Sequence, residues 1–213
     1  MCGRYSMPLS LVELARLLEA QYIKPQSSFK VGYNIAPSRE APLMTLEQGR
    51  RVLKPAHWGL SVGQGVKQCI NLRAEKLSGK SFSSRNPAAR PCVAPAQGFY
   101  EWEKSGQAHY FYFKSAALLC MAALCWPRAD GVLGFAIITT RMPDAWTHIH
   151  ERSPLLLAPD ALNDWLSRDS GGDWPFAPEP IASHPVSRAV NKPDFDSPDC
   201  IARSLEPVQA QLF

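Results

Sequence analysis

Cysteine stands at position 2, in Met1-Cys2-Gly3-Arg4. A small second residue generally lets the initiator methionine be removed, so Cys2 is expected to become the amino-terminal residue. Such a cysteine carries an amine and a thiol on one residue. The α-amine has a pKa of about 7.7–8.0 and the thiol about 8.5, so both keep a reactive fraction near neutral pH. An aldehyde can form an imine with the amine, and the thiol can then close a five-membered thiazolidine. The bland role for Cys2 is that of a small buried hydrophobe.

Three further groups could do chemistry. Glu101 lies between aromatics in Gly98-Phe99-Tyr100-Glu101-Trp102. Low polarity there would raise its pKa and suit it to proton transfer; otherwise it is an exposed strand carboxylate. His150 precedes Arg152 by two residues in Ile149-His150-Glu151-Arg152-Ser153-Pro154. That spacing could pair a proton shuttle with a phosphate clamp. In Asn71-Leu72-Arg73-Ala74-Glu75, alternation places Asn71, Arg73 and Glu75 on one face of an extended segment. That face suits a ligand or plain solvent. Tyr33-Asn34-Ile35-Ala36-Pro37 and His57-Trp58-Gly59-Leu60 offer an amide, a proline and an aromatic that could pack on bases, although Trp58 also fits a core.

These residues need elements to position them. Ser10-Leu-Val-Glu13 is a capping box, and Leu11, Leu14, Leu17 and Leu18 form an apolar stripe, which predicts a helix to about Ala20. Ala41–Leu46 and Arg51–Lys54 flank a Glu-Gln-Gly turn and read as a hairpin. Short strands are expected at Pro91–Ala96, Phe99–Glu103, Tyr110–Lys114, Leu118–Leu124, Leu133–Thr140 and Leu155–Ala158. A helix is expected over Asp160–Leu166, after Pro159, and a last strand over Pro185–Val190. The proline-rich stretch 171–185 reads as loop or extended chain. The expected class is α+β: one domain over 1–213, with mostly antiparallel short strands in a curved or barrel-like core and a few peripheral helices.

Length and composition set bounds. A chain of 213 residues supports one sizeable core. Its 46% apolar and 20% charged residues exclude a disordered or fibrous chain. A net charge of +4 permits a polyanion partner without demonstrating one. The longest apolar run, Ala116 to Trp126, is too short for a membrane helix of about 20 residues. The start of the chain has no apolar signal segment, so a cytoplasmic protein is expected, nucleoid-associated if bacterial. The six cysteines, at 2, 69, 92, 120, 125 and 200, are then expected to be reduced, the last five as core. Their spacing includes no Cys-x-x-Cys, so a structural zinc site has little support.

In order along the chain, Cys2-Gly3-Arg4-Tyr5, Tyr33-Asn34-Ile35-Ala36-Pro37, Trp58-Gly59-Leu60, Asn71-Leu72-Arg73-Ala74-Glu75, Pro95-Ala96-Gln97-Gly98-Phe99-Tyr100-Glu101-Trp102, Thr139-Thr140 and His150-Glu151-Arg152-Ser153-Pro154 resemble the SOS response-associated peptidase (SRAP) family. These are abasic-site processing proteins of bacteria and eukaryotes. The resemblance runs from residue 2 to about Val190. It departs from the pattern at Ser153, where the family usually has Met, and at Leu72, where Ala is commoner.

The resemblance implies the SRAP fold and a protein that binds single-stranded DNA and crosslinks to abasic sites. Cys2 would be the covalent nucleophile, joined to the ring-opened sugar as a thiazolidine. Asn71 would hydrogen-bond near the adduct. Glu101 would move protons, and His150 would act as acid or base. Arg4, Arg73 and Arg152 would contact phosphates. Pro37 and Trp58 would pack on flanking bases, and Asn34 and Trp102 would complete the DNA-binding set. A lyase side reaction and self-removal of the residue before Cys2 are also implied. The expected partner is single-stranded DNA carrying an abasic site, met by a monomer with no membrane and no metal or organic cofactor. Two other classes compete: a thiol peptidase using Cys2 with His150, and a non-covalent single-strand binding module.

Overall fold

The structure, a computed structural model, describes residues 2–23, 31–61, 68–77, 87–115, 118–128, 130–167 and 180–204. In chain order the elements begin with β1 (Tyr5–Met7), α1 (Leu11–Leu17), β2 (Gln21–Tyr22), β3 (Gly32–Ile35), β4 (Glu40–Glu47) and β5 (Arg50–Trp58). Then come β6 (Leu60–Ser61), β7 (Gln68–Cys69), β8 (Asn71–Arg73), β9 (Arg90–Ala96), β10 (Gly98–Trp102) and β11 (Ala108–Phe113). The last group is β12 (Leu119–Pro127), β13 (Leu133–Arg141), β14 (Arg152–Pro154), β15 (Leu156–Leu157), α2 (Leu162–Leu166) and β16 (Ile181–Pro185).

The barrel-like core is present. Strand β13 pairs β12, β12 pairs β9, β9 pairs β4, β4 pairs β5, and β5 returns to β13. The ring closes on itself, and β14 and β2 branch from it as terminal strands on β13 and β5. Most pairs are antiparallel, as expected, but β5–β13, β8–β13 and β2–β5 are parallel. A second sheet runs β16-β11-β10-β1-β3. The chain passes from ring to sheet at Gln97, between β9 and β10, where its backbone N–H bonds the Ser6 carbonyl.

Side-chain pattern explains the elements. β9 and β12 are buried along almost their whole length, as their continuous apolar runs require. The β4–β5 hairpin turns on Gln48 and Gly49, both at positive φ (49° and 74°), the geometry that matches strand twist. Gly98 has no room for a side chain: a Cβ would strike the Tyr110 ring and the Phe111 carbonyl. That contact lets β10 lie close on β11. One core cluster joins both sheets through Tyr5, Trp58, Phe99, Phe111 and Phe135.

Several boundaries differ from expectation. The capping box at Ser10 and Glu13 forms, but α1 stops at Leu17, and Glu19 adopts φ 49°. Leu17 is 56% exposed, so the buried stripe is Leu14, Ala15 and Leu18. The expected strand at Leu155–Ala158 is two short strands, β14 and β15, on either side of Leu155. Asp160–Leu166 starts as a 3-10 turn and only then becomes α2. The last strand lies earlier than expected, at Ile181–Pro185. The Ser187 hydroxyl accepts from the Ala189 N–H and turns Arg188–Asn191 into a 3-10 helix instead. Most of the proline-rich stretch lies outside the described residues.

Candidate active site at the amino terminus

The antiparallel pairing of β1 with β10 extends to a bond from the Tyr100 N–H to the Arg4 carbonyl, 3.0 Å. The chain just before Arg4 therefore runs beside Glu101. Cys2 is fully buried there. Asn71, the first residue of β8, donates its Nδ2 to the Cys2 carbonyl at 2.7 Å. β8 is itself held on β13 by parallel pairing and by the Thr139 hydroxyl, which donates to the Leu72 carbonyl. Asn71 Oδ1 is buried with no hydrogen-bond partner among the described residues.

His150 follows a short 3-10 turn at Asp144–Trp146 and precedes β14. Its Nδ1 lies 3.7 Å from Glu101 Oε2 and 3.0 Å from both the nitrogen and the carbonyl oxygen of Arg152. Cys2, Asn71, Glu101 and His150 thus converge from four separate parts of the chain.

Burial dominates the electrostatics. Glu101 is 2% exposed, and burial raises its pKa to about 7, against an opposing pull from the positive amino terminus. The Cys2 thiol is pushed well above its usual range, first by burial and then by the Glu101 charge. Burial lowers His150 below the usual histidine value. At neutral pH this gives a neutral thiol, a neutral imidazole and a carboxyl group able both to give and to take a proton.

The predicted DNA-contacting residues divide. Arg73 is exposed and Pro37 half-exposed. Trp102 is half-buried and donates to Asn191 Oδ1 at 2.7 Å. It borders a cavity of about 590 Å³ that also takes in Lys104, His148, His150 and Glu151. Arg152 is held by Glu75, which sits in a 3-10 turn (Ala74–Lys76) and not on the extended face with Asn71 and Arg73.

Of the other three, Trp58 and Asn34 are buried, and Arg4 is half-exposed and tied to the protein through Nη1. Trp58 is fully buried between Tyr5 and Phe135 and donates Nε1 to the Ile70 carbonyl, so no base can reach it here. Asn34 is buried, and its amide bonds the carbonyls of Val190, Lys192 and Phe195. Arg4 Nη1 donates to Asn34 Oδ1 (2.8 Å) and the Val190 carbonyl (2.9 Å). Arg4 and Asn34 therefore anchor the C-terminal strap of residues 187–204 in this structure. Sequence reading missed the strap and the Glu75–Arg152 pair, because nothing local links positions 4 and 34 to 190, or 75 to 152. All six cysteines are free thiols, and all but Cys69 are buried.

A model of the SOS response associated peptidase (SRAP) family matches residues 1–193. The chain belongs to that family. It is 27% identical over 222 residues to the abasic site processing protein YoqW of Bacillus subtilis (strain 168), covering 94% of this chain and 99% of that one. It is 29% identical over 210 residues to the abasic site processing protein YedK of Escherichia coli (strain K12), covering 89% and 94%. Its fold matches the crystal structure of a Bacteroides thetaiotaomicron protein with a TM-score of 0.76, at 21% identity, over 96% of this chain and 100% of that one. The SRAP fold expected from the motifs is therefore the fold observed.

Proposed function

We propose that this protein processes abasic sites in single-stranded DNA by covalent capture on Cys2. The observation that carries the reading is that Asn71 holds the Cys2 carbonyl, the Glu101 charge acts on the Cys2 thiol, and His150 stands beside Glu101. The names of the SRAP relatives, which are abasic site processing proteins, agree with it.

The chemistry requires a free α-amine on Cys2, hence loss of Met1. The amine adds to the sugar aldehyde, and water leaves to give an imine. The thiol then adds across the C=N bond. A C–S bond forms, and the thiol proton ends on the ring nitrogen. Glu101, whose carboxyl group burial makes a stronger proton acceptor, can take the proton from the thiol and deliver it. Neutral His150 serves as the second acid or base, on the sugar hydroxyl or the departing water. Asn71 holds the Cys2 carbonyl, and its Oδ1, which has no partner among the described residues, can accept from the new amine. The peptidase alternative would use the same Cys2 with His150 as nucleophile and base, and differs in its substrate. The same imine explains a lyase side reaction: it acidifies the adjacent sugar C2 proton, and a nearby base can then drive β-elimination. Arg73, Arg152, Pro37 and Trp102 form the proposed DNA face. Half-exposed Arg4 borders that face, and buried Asn34 and Trp58 support it from within.

The test mixes protein of verified mass with a single-stranded oligonucleotide bearing one abasic site. A denaturing gel then compares it with Cys2→Ala and with a duplex substrate. The expected result is a denaturation-resistant band, favoured by single strands and absent for Cys2→Ala. If protein that has lost Met1 gives no such band, the covalent reading fails.

A further inference from the structure

The Arg152 guanidinium is engaged by two holds of different kinds. Nη2 donates to the Thr139 backbone carbonyl at 2.6 Å, a fixed point of β13. On the other side, Nη1 and Nη2 meet Glu75 Oε1 and Oε2 at 2.7 and 3.0 Å, a two-pronged ion pair. The Glu75 side chain is 55% exposed and that of Arg152 only 18%, so the carboxylate forms the solvent side of the pair. A carboxylate presents two oxygens to the guanidinium fork just as a phosphodiester does. A strand phosphate approaching Arg152 from solvent therefore meets a site already filled by an anion of the same geometry.

We propose that Glu75 is a specificity-determining residue: an internal stand-in for a strand phosphate, which occupies Arg152 in the free protein and yields it to DNA. The inference rests on the DNA-capture reading above and deepens it. The Thr139 carbonyl keeps the guanidinium in place when Glu75 swings away, so the fork is already aimed when the phosphate arrives. Exposure makes the swing easy, since Glu75 regains water as it leaves. Every non-covalent encounter with a strand must displace Glu75, which shortens the stay of undamaged DNA. An abasic strand escapes this competition once the covalent bond has formed. Glu75 thereby biases retention toward strands that react.

The test measures binding of an undamaged single-stranded oligonucleotide by fluorescence anisotropy across a salt series. The proteins are the parent, Glu75→Gln, Arg152→Gln and the double variant. Glu75→Gln is expected to bind about 3- to 10-fold more tightly, with a salt dependence steeper by about one phosphate contact. Arg152→Gln is expected to bind more weakly, and Glu75→Gln should add nothing in that background. The same gain in both backgrounds would mean a general charge effect and overturn the proposal. Unchanged or weaker binding by Glu75→Gln would also overturn it, making Glu75 a fixed support. So would an Arg152→Gln protein that binds as the parent does. Arg152→Met replaces Arg152→Gln if thermal unfolding shows the latter misfolded. The abasic-site gel, run on the parent protein, reports separately on the capture reading.

Discussion

His150 Nδ1 stands 3.7 Å from Glu101 Oε2, too far for a hydrogen bond and near enough for each to feel the other's charge. Nδ1 instead sits 3.0 Å from both the backbone N–H and the carbonyl oxygen of Arg152, so it accepts from the first in one tautomer and donates to the second in the other. Burial lowers the His150 pKa and raises that of Glu101 to about 7, so the carboxyl group titrates in the range where repair reactions run.

That arrangement predicts a pH profile. Glu101 must be ionised to take a proton, so adduct formation should rise through about pH 7. In Glu101→Gln it should be slower by about 10²- to 10⁴-fold, without that rise. Stability should move the other way. The folded pKa is raised from 4.5 to about 7, so the native state disfavours the charged form. Stability is full below about pH 4.5 and is lost as pH climbs through 7, by on the order of 3 kcal/mol. Denaturant melts at pH 5 and pH 8 should show Glu101→Gln closing most of that gap. A gap equal in parent and variant would remove Glu101 as its source.

Asn34 gives a prediction about stability rather than binding. Its two amide hydrogens serve three carbonyls of the strap, and its oxygen takes one from Arg4. Asn34→Ala should lower stability by about 2–4 kcal/mol, since buried partners are left unpaired. Hydrogen exchange should speed up at Lys192 and Phe195, whose amides close turns on Ala189 and Lys192. The salt dependence of DNA binding should stay as in the parent. A stable variant with a shallower salt dependence would return Asn34 to the DNA face.

Trp58→Ala should cost about 3–5 kcal/mol, the usual penalty for emptying a buried tryptophan site. The ring fills the space between Tyr5 and Phe135, and its indole N–H satisfies the Ile70 carbonyl beside β8. The denaturant midpoint is the readout, at unchanged slope. Undiminished stability with selective loss of DNA affinity would show that Trp58 reaches a base after all.

The sequence alone carried the parts of this protein that are written locally. The capping box at Ser10 and Glu13 satisfies its own helix end, and Gln48-Gly49 sets its own hairpin turn. Alternation and apolar runs located β4, β5 and β9 to β13 to within a few residues, but not β1 or β3, short strands whose pairing sets the start of the chain against β10. The order of motifs from Cys2 to Pro154 pointed to the family, because each motif lies within a few consecutive residues. Closure of the ring was decided only in three dimensions, by the parallel return of β5 to β13, a pairing across more than seventy residues with no local signal. The same holds for burial. Period-two alternation says that Glu101 shares a face with Phe99, and only the packed sheets make that face dry enough to raise its pKa. The duties of the arginines and amides were also tertiary decisions. Arg4, Asn34 and Arg152 are the kind of residues that meet phosphates. Their partners here are Val190, Phe195 and Glu75, brought to them by the fold and invisible from their own neighbourhoods in the chain.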